Sequence, residues 1–348
     1  MGASARQAVL PFLRHDDIAS CRADFEHHRR EGFPVYSLKR DEKRQELLDL
    51  LVADHAGIID EKGRIKQTMH GLALAWHYHP LAWSVRCGNR KTPVELFSDD
   101  MLFLKAIERR TKLGNAFSDG GLRKILRTFS STQSVSNFRP TAAAAVYHRL
   151  LPKESGVVWD MSAGFGGRLL GALACDSVDR YIGTDPSTYA MDGVREMAEE
   201  LVPMAAQLGR RTLDVALHQT GSEVFVPERS SLDLAFTSPP FGPGHEMYSD
   251  EPTQSYKKFP TQHEWLHGFV GATLQNCAHG LKRNGILAIN IASAAAFPNL
   301  GRVFLRYAED NGWRLIETLH LQMSKMVGLK HIGRSVFKTE PIFVFRKK

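Results

Sequence analysis

Cysteine is scarce in this sequence, and nothing in its placement suggests a metal site. The 348 residues include four cysteines, Cys21, Cys87, Cys175 and Cys277, and no two of them form a C-x-x-C pair. Structural zinc sites use closely spaced Cys and His ligands, so zinc is not expected. We interpret the four cysteines as reduced thiols of a cytosolic protein.

Long apolar runs are missing as well. No stretch of about 18 apolar residues occurs, although a membrane-spanning helix would need one. The N-terminal sequence lacks the basic region and apolar core of a signal peptide. Arg6 also stands where a myristoylation motif has Ser or Thr. We therefore expect a cytoplasmic protein that does not associate with membranes.

The net charge of +7 is unevenly distributed along the chain. Residues 1–140 hold 23 Lys and Arg against 17 Asp and Glu, whereas the remainder is nearly balanced. A basic module favours a nucleic-acid partner, because Lys and Arg neutralise phosphates. An ordinary solvated surface is the alternative interpretation.

The first 135 residues are predicted to form a mostly helical domain. Apolar residues recur at helical spacing in Asp41–Asp54 and in Ser98–Leu113, and Gly114 is expected to end the second helix. The aromatic segment His70–Trp83 contains His77-Tyr78-His79. We interpret it as packed aromatics with hydrogen-bonded histidines rather than a metal site.

A basic, hydroxyl-rich segment follows at Gly120–Asn137 and includes Ser130 and Ser131. Phosphates can be bound by such side chains, and the candidate contacts to nucleic acid are Arg123, Lys124 and Arg127. A solvated helix followed by a linker explains the same composition equally well.

A glycine-rich loop marks the start of the second domain's sheet. Val157–Asp160 is predicted to be a buried strand, and Met161–Arg168 is the loop before the next helix. Glycines allow the backbone to approach a nucleotide-like cofactor. The candidate cofactor-binding residues of this loop are Asp160, Ser162, Ala163, Gly164, Phe165 and Gly166.

An acidic residue follows the second strand, as ribose binding would need. Arg180–Thr184 is the predicted strand, and Asp185 lies 25 positions after Asp160. Such a carboxylate accepts hydrogen bonds from two ribose hydroxyls. NAD-binding folds use the same arrangement, and an Asp that caps the next helix is a further alternative.

The fourth predicted strand, Leu232–Phe236, ends abruptly in Thr237-Ser238-Pro239-Pro240-Phe241. The two prolines have no N–H to donate, so the sheet cannot continue through them. They predict a rigid turn at the carboxyl end of a strand, where open α/β sheets bind ligands. Ser238 offers a hydroxyl there, and Phe241 offers a flat apolar face.

This turn resembles the catalytic motif of S-adenosylmethionine-dependent amino-methyltransferases, which methylate cytosine N4 or adenine N6 in DNA. The resemblance implies that Ser238 and the adjoining backbone carbonyl accept hydrogen bonds from the target NH2. It further implies that Phe241 stacks on a flipped base, with Pro239 and Pro240 completing the catalytic turn. The loop at Asp160–Gly166 resembles the family's cofactor motif, although Met161 and Ser162 replace Pro and Phe.

Other parts of the cofactor pocket are implied only by this resemblance. Residues 136–140 resemble the family's motif X and contribute Asn137, Phe138 and Pro140. Thr237 belongs to the same pocket. The predicted third strand is Thr212–Leu217, and the segment that follows it places Ser222 and Glu223 near adenine. The motif order is linear, as in the family's gamma arrangement.

The fold class implied for residues 136–348 is α/β, the class I methyltransferase Rossmann-like fold with a seven-stranded mixed sheet. Residues 1–135 form the helical domain before it. The remaining expected elements are a helix from Asp192 to Leu208, a helix from Thr261 to Leu281, and strands at Ile286–Ile291, Trp313–Leu321 and Pro341–Arg346. A basic segment, Ser324–Lys338, lies between the last two strands.

The function implied is methyl transfer from S-adenosylmethionine to a base of DNA, with cytosine N4 favoured because Ser-Pro-Pro is more usual among cytosine enzymes. Adenine N6 and an RNA amine are alternatives. A glutamine side chain of a protein is a further possible acceptor, but Asn-Pro-Pro-Tyr would be expected for it. No Pro-Cys pair of the cytosine-C5 type occurs. The long loop Gly242–Pro260 is expected to close over the base, with Lys257 and Lys258 near phosphates.

Two readings from other classes remain. An inactive nucleic-acid-binding protein with this fold would not need the cofactor residues, and it would be free to lose some of them. An NAD-dependent dehydrogenase shares the strand, glycine and acid pattern but leaves Ser-Pro-Pro-Phe unexplained. Cofactor binding discriminates between an enzyme and an inactive scaffold.

Overall fold

The computed structural model describes residues 15–66, 68–112, 118–129, 132–152, 155–293, 297–325 and 337–348. The side chains of residues 15–18, 324, 325, 337 and 338 are outside this description. The predicted helix end at Gly114, the hydroxyl residues Ser130 and Ser131, and most of the basic segment 324–338 therefore lie outside the described residues.

Within the described residues, seven helices precede the glycine loop, and a short 3-10 helix at Pro80–Ser84 lies among them. They are α1 (His15–Glu31), α2 (Arg40–Leu51), α3 (Leu72–His77), α4 (Pro93–Ser98), α5 (Asp100–Lys112), α6 (Asp119–Thr128) and α7 (Pro140–Leu150). The later helices are α8 (Gly167–Leu173), α9 (Thr188–Gln207), α10 (Ser255–Lys258), α11 (Gln262–Glu264), α12 (Gly271–Gly280) and α13 (Leu300–Asp310). A π-helical segment, Trp265–Val270, joins α11 to α12.

Eight strands of the described part of the chain form one sheet. They are β1 (Arg64–Ile65), β2 (Val157–Asp160), β3 (Arg180–Thr184), β4 (Asp214–His218), β5 (Leu232–Thr237), β6 (Leu281–Asn290), β7 (Trp313–Lys325) and β8 (Phe337–Lys347). Their order is β1-β7-β8-β6-β5-β2-β3-β4. β8 pairs antiparallel with both neighbours, and the other pairs are parallel.

This mixed sheet with helices confirms the predicted α/β fold class. Strands β2 to β8 are the seven that were expected, and β1 is an eighth strand that was not. The strand β1 lies at the sheet edge, where Arg64 and Ile65 pair with His320 and Leu321 of β7. The sheet thus has the expected seven strands with one additional edge strand.

The chain divides into two compact units. One contains the described residues up to Tyr36 together with Pro80–Ser136, and the other contains Ser37–His79 and Asn137–Lys348. One crossing between the units lies after Ser136. Residues 37–79, however, belong with the sheet rather than with the remaining N-terminal helices.

The contacts of residues 37–79 explain this placement. Lys43 Nζ lies 2.5 Å from a carboxylate oxygen of Glu200 on α9, and the Tyr78 hydroxyl donates to Glu200 at 2.8 Å. Leu47, Leu50 and other residues of the segment are buried in the same apolar cluster as α7, α8 and α9. The periodicity of the sequence cannot reveal this, because it reports which face of a helix is apolar and not what covers it.

The smaller unit packs four helices around its own apolar core. Cys21, Phe103 and Leu122 are fully buried there. The predicted helix Ser98–Leu113 is present as α5 and begins at Asp100, because the extended backbone of Asp99 separates it from α4, which ends at Ser98. Asp99 accepts a hydrogen bond from the Leu102 N–H, so its side chain caps α5.

Helices α7 and α8 approach each other closely because small residues face one another. Ala142, Ala143 and Ala144 are fully buried, and a Cβ added to Gly171 would lie 2.5 Å from the Cβ of Ala143. A Cβ on Gly167 would fall 1.9 Å from the Phe138 carbonyl oxygen. This contact fixes the start of α8 against the segment that precedes α7.

Gly167→Ala is therefore expected to destabilise the protein by about 1–3 kcal/mol, because backbone must move to admit the methyl group. Gly120→Ala is the matched control: its Cβ would meet only Arg123, at 3.8 Å, on an exposed helical turn. The control should leave stability unchanged or raise it by up to about 1 kcal/mol. Denaturant unfolding monitors both variants, and equal midpoints for the two would contradict the expectation.

No helix among the described residues is both long and apolar enough to cross a membrane.

Candidate active site

The candidate site lies at the carboxyl ends of adjacent parallel strands. In the order of the sheet, β6, β5, β2 and β3 are neighbours and run in the same direction. Their carboxyl ends carry Asn290, Ser238, Asp160 and Asp185, respectively. Parallel strands bring these residues to one edge of the sheet, where open α/β folds bind ligands.

Asp160 is the centre of a buried network. Its Oδ2 accepts from Arg168 Nε at 2.9 Å and from the Tyr181 hydroxyl at 2.6 Å. Its Oδ1 accepts from the Thr237 hydroxyl at 3.0 Å and from the Ser162 N–H at 3.3 Å. These bonds connect three strands with the glycine loop. Asp160 itself has no exposed surface.

The ionisation of this network follows from burial and pairing. Burial is the largest influence and works against the charge on Arg168, but Asp160 together with Tyr181 and Tyr147 outweighs it, and the pKa of Arg168 is raised. Burial, together with Asp160, raises the pKa of Tyr181 well above its ordinary value. Tyr181 is therefore a neutral hydrogen-bond donor to a carboxylate whose charge is balanced by Arg168.

The glycine loop takes the backbone shape that only glycine adopts easily. Gly164 and Gly166 have φ values of 53° and 74°. The Ala163 N–H donates to the Thr184 carbonyl at 2.9 Å, and Arg168 also donates to the Ser162 carbonyl. These bonds fix the loop between the ends of β2 and β3.

Asp185 joins this loop to the end of β3. One carboxylate oxygen accepts from the Gly164 N–H, and the other accepts from the Ser187 N–H, both at 3.0 Å. Burial raises the pKa of Asp185 to about 6, although both N–H bonds favour the charged form. A carboxylate has about four acceptor positions, so two remain for ligand hydroxyls.

The residues predicted from motif X lie directly against the glycine loop. Asn137 Nδ2 donates to the Phe165 carbonyl at 3.0 Å. The ring of Phe138 packs edge-on against Phe236 at 5.3 Å, and the Arg168 guanidinium lies 5.5 Å from its centroid. Pro140 is the first residue of α7. Asn137 and Phe138 thus contact the loop and the start of α8, and Pro140 begins the helix that follows them.

The Ser-Pro-Pro-Phe turn begins where β5 ends. The Ser238 hydroxyl donates to Asn290 Oδ1 at 2.6 Å, and Asn290 Nδ2 donates to the Pro341 carbonyl at 3.0 Å. Pro239 is buried, while Ser238, Pro240 and Phe241 are half-buried. The ring of Phe241 lies 5.5 Å from that of His245. A hydroxyl and an aromatic face are thus held beside β2.

The predicted adenine-side residues make contacts within the protein. The Ser222 hydroxyl is 2.8 Å from the Thr273 hydroxyl and is buried. Glu223 forms an ion pair with Lys258, one of the two lysines predicted to face phosphates. The other, Lys257, pairs with Asp250 at 3.4 Å. Both lysines are exposed.

The loop after Phe241 folds over the end of β3. Glu251 accepts from the Thr188 N–H at 3.2 Å and from the Thr188 hydroxyl, and Thr253 donates to the Pro186 carbonyl at 3.4 Å. Tyr248 stacks on Phe165 with ring centroids 4.6 Å apart. The loop therefore covers the glycine loop and the start of α9.

Sequence reasoning missed five residues of this site. Arg168 and Tyr181 hold Asp160, Asn290 holds Ser238, and Tyr248 and Glu251 fasten the covering loop. The one available signal was Asn290, a polar residue in the apolar run Ile286–Ile291. The others are ordinary in their local sequence, and only tertiary contacts give them a role.

Two of the three predicted nucleic-acid residues of the smaller unit are engaged within that unit. The Arg123 guanidinium lies 3.9 Å from the ring centroid of Tyr36 and donates to the Pro34 carbonyl at 2.9 Å. Arg127 donates to the Ser134 hydroxyl at 2.9 Å, and burial lowers its pKa. Lys124 is exposed.

The histidines of the aromatic segment are hydrogen-bonded, as predicted. His77 Nδ1 accepts from the Leu38 N–H at 3.1 Å. His79 is fully buried, and its ring nitrogens lie 2.9 and 3.2 Å from the carbonyl oxygens of Ala75 and Ala190. In the described part of the chain, no group of three or more His, Cys, Asp or Glu is arranged to hold a metal ion.

No protein-family model matches this sequence, and no curated protein matches it. Solved structures similar to the chain include a candidate RNA methyltransferase from Pyrococcus horikoshii (15% identity, TM-score 0.38) and a TehB-like SAM-dependent methyltransferase from Corynebacterium glutamicum (17%, 0.37). A third is a precorrin-6y C5,15-methyltransferase from Geobacter metallireducens (14%, 0.35).

The similarity covers 60%, 61% and 60% of this chain and 82%, 90% and 88% of the three others. At these identities and TM-scores the likenesses carry no weight for activity. The residues at the sheet edge must carry the functional argument.

Proposed function

We propose that the protein transfers a methyl group from S-adenosylmethionine to the exocyclic amino group of a nucleic-acid base, with N4 of cytosine in DNA as the favoured acceptor. One observation carries the proposal. The Ser-Pro-Pro-Phe turn leaves β5 directly beside β2, the strand that carries the glycine loop, and Thr237 bonds to Asp160 across this pair at 3.0 Å. A cofactor loop and an amine-binding turn are thus neighbours.

The glycine loop and Asp185 have the properties that an adenosine-containing cofactor needs. Gly164 and Gly166 keep side chains away from the loop, and the Asp185 carboxylate retains acceptor positions for two ribose hydroxyls. Asn137 and Arg168 hold the loop in place without depending on a ligand. When bound, S-adenosylmethionine supplies an electrophilic methyl group.

The turn has the properties that an aryl amine needs. The nitrogen lone pair of such an amine is delocalised into the ring, so acceptors that bind its hydrogens concentrate electron density on nitrogen. Ser238 Oγ and the adjoining backbone carbonyl are the acceptors in this proposal, and Phe241 stacks on the base. The residues orient the nitrogen for in-line attack, and no covalent intermediate with the protein is needed.

Cofactor affinity is expected to fall as the pH decreases through about 6, because a protonated Asp185 offers fewer acceptor positions to ribose hydroxyls. Below that pH the loss should approach about tenfold per unit. The same shift makes Asp185 lower the stability of the folded protein as the pH rises from about 4 to 6, since the folded state binds the proton more tightly.

Calorimetric titration with S-adenosylmethionine at pH 5, 6 and 7.5 measures this dependence. Asp185→Asn is the control, since an amide does not titrate; its affinity should be low and independent of pH over this range. A wild-type affinity that is equally flat would contradict the assigned role of Asp185.

A nucleic-acid acceptor is favoured by the basic N-terminal half of the chain, where the exposed Lys124 offers a free charge to phosphates. Arg123 and Arg127 support this proposal less, because they are engaged within the protein. Cytosine is preferred to adenine only because the turn contains Ser. An RNA amine is the first alternative.

The test is mass spectrometry of nucleosides after incubation of DNA, and separately of RNA, with the protein and S-adenosylmethionine labelled in its methyl group. Label in N4-methylcytosine is expected. Label in N6-methyladenine would identify adenine as the target base, and label only in RNA would identify RNA as the substrate. Cofactor binding without transfer to either nucleic acid would contradict the proposal and favour a different amine or an inactive scaffold.

A further inference from the structure

We infer that Asn290 is a positioning residue that makes Ser238 a hydrogen-bond acceptor only, so that the site selects an amino group over a carbonyl group. The inference rests on the proposed function, because it concerns how the same site recognises the group that receives the methyl. It assigns this selectivity to a residue of β6, which lies outside the Ser-Pro-Pro-Phe turn.

The orientation of the Asn290 amide follows from the chemistry of its two hydrogen-bond partners. The Pro341 carbonyl lies 3.0 Å from one end of the amide, and a carbonyl oxygen can only accept. The Asn290 NH2 must therefore face Pro341. Its oxygen must then face Ser238, 2.6 Å away, and can only accept there.

The position of the Ser238 proton follows directly. A hydroxyl has one hydrogen to donate, and Asn290 Oδ1 receives it. The two remaining lone pairs of Ser238 Oγ can only accept. Asn290 is 2% exposed, so water does not replace Ser238 as the donor to its amide oxygen.

The geometry is set by the sheet. Thr237 of β5 lies opposite Ile289 of β6 in the parallel register. The next pair along these strands is Ser238 and Asn290. On its other side, Asn290 lies opposite Ile342 of β8, the residue after Pro341. Strand pairing on both sides of Asn290 therefore holds the two hydrogen bonds, from Ser238 to Asn290 and from Asn290 to Pro341, in one geometry.

An acceptor-only serine distinguishes two kinds of base. The amino group of cytosine or adenine donates hydrogen bonds to it. The carbonyl group of uracil or hypoxanthine at the same position would place two acceptors against each other, which leaves both unpaired. Without Asn290, the Ser238 hydroxyl can turn and donate, and this discrimination should weaken.

The experiment compares wild type with Asn290→Ala, Asn290→Leu, Ser238→Ala and the double variant Ser238→Ala/Asn290→Ala. The leucine variant fills the volume if alanine destabilises the buried position. Asn290→Asp keeps an acceptor oxygen beside Ser238 and should retain most of the selectivity. Asn311→Ala is the matched control, because it removes an asparagine hydrogen bond to Tyr307 just before β7, at the opposite edge of the sheet.

Two readouts are used on the oligonucleotide that wild type methylates. The first is kcat together with the KM of the cofactor. The second is the ratio of affinities for the amine base and for its carbonyl counterpart at the target position. We expect Asn290→Ala and Asn290→Leu to lower kcat about 10- to 100-fold, leave the cofactor KM unchanged and reduce the affinity ratio about tenfold. Asn311→Ala should match wild type in both.

The double variant separates positioning from simple structural damage. If Asn290 acts through Ser238, removing it from Ser238→Ala should change neither readout by more than about twofold. Additive losses, or an unchanged affinity ratio in both Asn290→Ala and Asn290→Leu, would overturn the inference while leaving the proposed function intact. A wild-type protein that methylates neither DNA nor RNA overturns the proposed function, and this inference with it.

Discussion

Replacing Ser238 with alanine is expected to lower kcat about 100- to 1000-fold and to change cofactor affinity less than about threefold. In the proposed mechanism the hydroxyl acts on the acceptor amine, and its only hydrogen bond found within the described chain is to Asn290. The glycine loop and Asp185 keep their bonds without it. Loss of the hydroxyl should therefore affect the transfer step and not cofactor binding.

Asp185→Ala provides the opposite pattern for comparison. It removes the carboxylate that holds Gly164 and that we assign to ribose, so cofactor affinity should fall about 10- to 100-fold. Single-turnover rates and calorimetric affinities of the two variants separate the roles. Equal losses of cofactor affinity in both would show that Ser238 and Asp185 are not divided in this way.

Replacing Arg168 with methionine is expected to destabilise the protein by about 3–5 kcal/mol, because it leaves the Asp160 carboxylate buried without its cation. The Arg168 side chain is 5% exposed and that of Asp160 is fully buried, so solvent cannot replace the lost partner. Tyr181 and Thr237 would still donate to Asp160, but they bring no charge.

Arg180→Ala is the matched control, because Arg180 pairs with Asp214 on the surface with half of its side chain exposed. Exposed pairs contribute up to about 1 kcal/mol, so this variant should unfold close to wild type. Urea unfolding followed by circular dichroism measures both. The double variant Asp160→Asn/Arg168→Met should recover part of the loss; a further large decrease would argue against a charge imbalance as the cause.

The sheet was largely predictable from sequence because its central strands are short apolar runs with clear ends. Strands β2 and β3 lie at the predicted residues, and β5 runs one residue past its predicted end, to Thr237. The helix predicted from Thr261 to Leu281 is present as α11, the π-helical segment and α12, with Thr261 capping it. It ends at Gly280, since β6 already pairs with β5 at Leu281 and so runs through Asn284-Gly285. Asn-Gly is typical of a turn, but pairing between distant strands places Asn284-Gly285 within β6.

The site was predictable only where its residues belong to a continuous motif. Ser238, Asp185 and the glycine loop each follow a strand directly, so position alone marked them. Tyr181 is recognisable only once the register of neighbouring strands is known. Asn290 is marked in the sequence as a polar residue in an apolar run, but only that register shows its partner. Tyr248 and Glu251 belong to a loop whose course depends on tertiary contacts with Phe165 and Thr188.

The interleaving of the two units has a consequence for synthesis on the ribosome. The chain passes from the smaller unit to the sheet unit after Tyr36, returns at Pro80 and crosses again after Ser136. When residue 136 emerges, the smaller unit is complete, but Leu47, Leu50 and Leu74 still lack α7, α8 and α9, which bury them. Until some 70 further residues are made, this apolar segment is a natural target for chaperones, and a nascent chain that stalls there would expose it to aggregation.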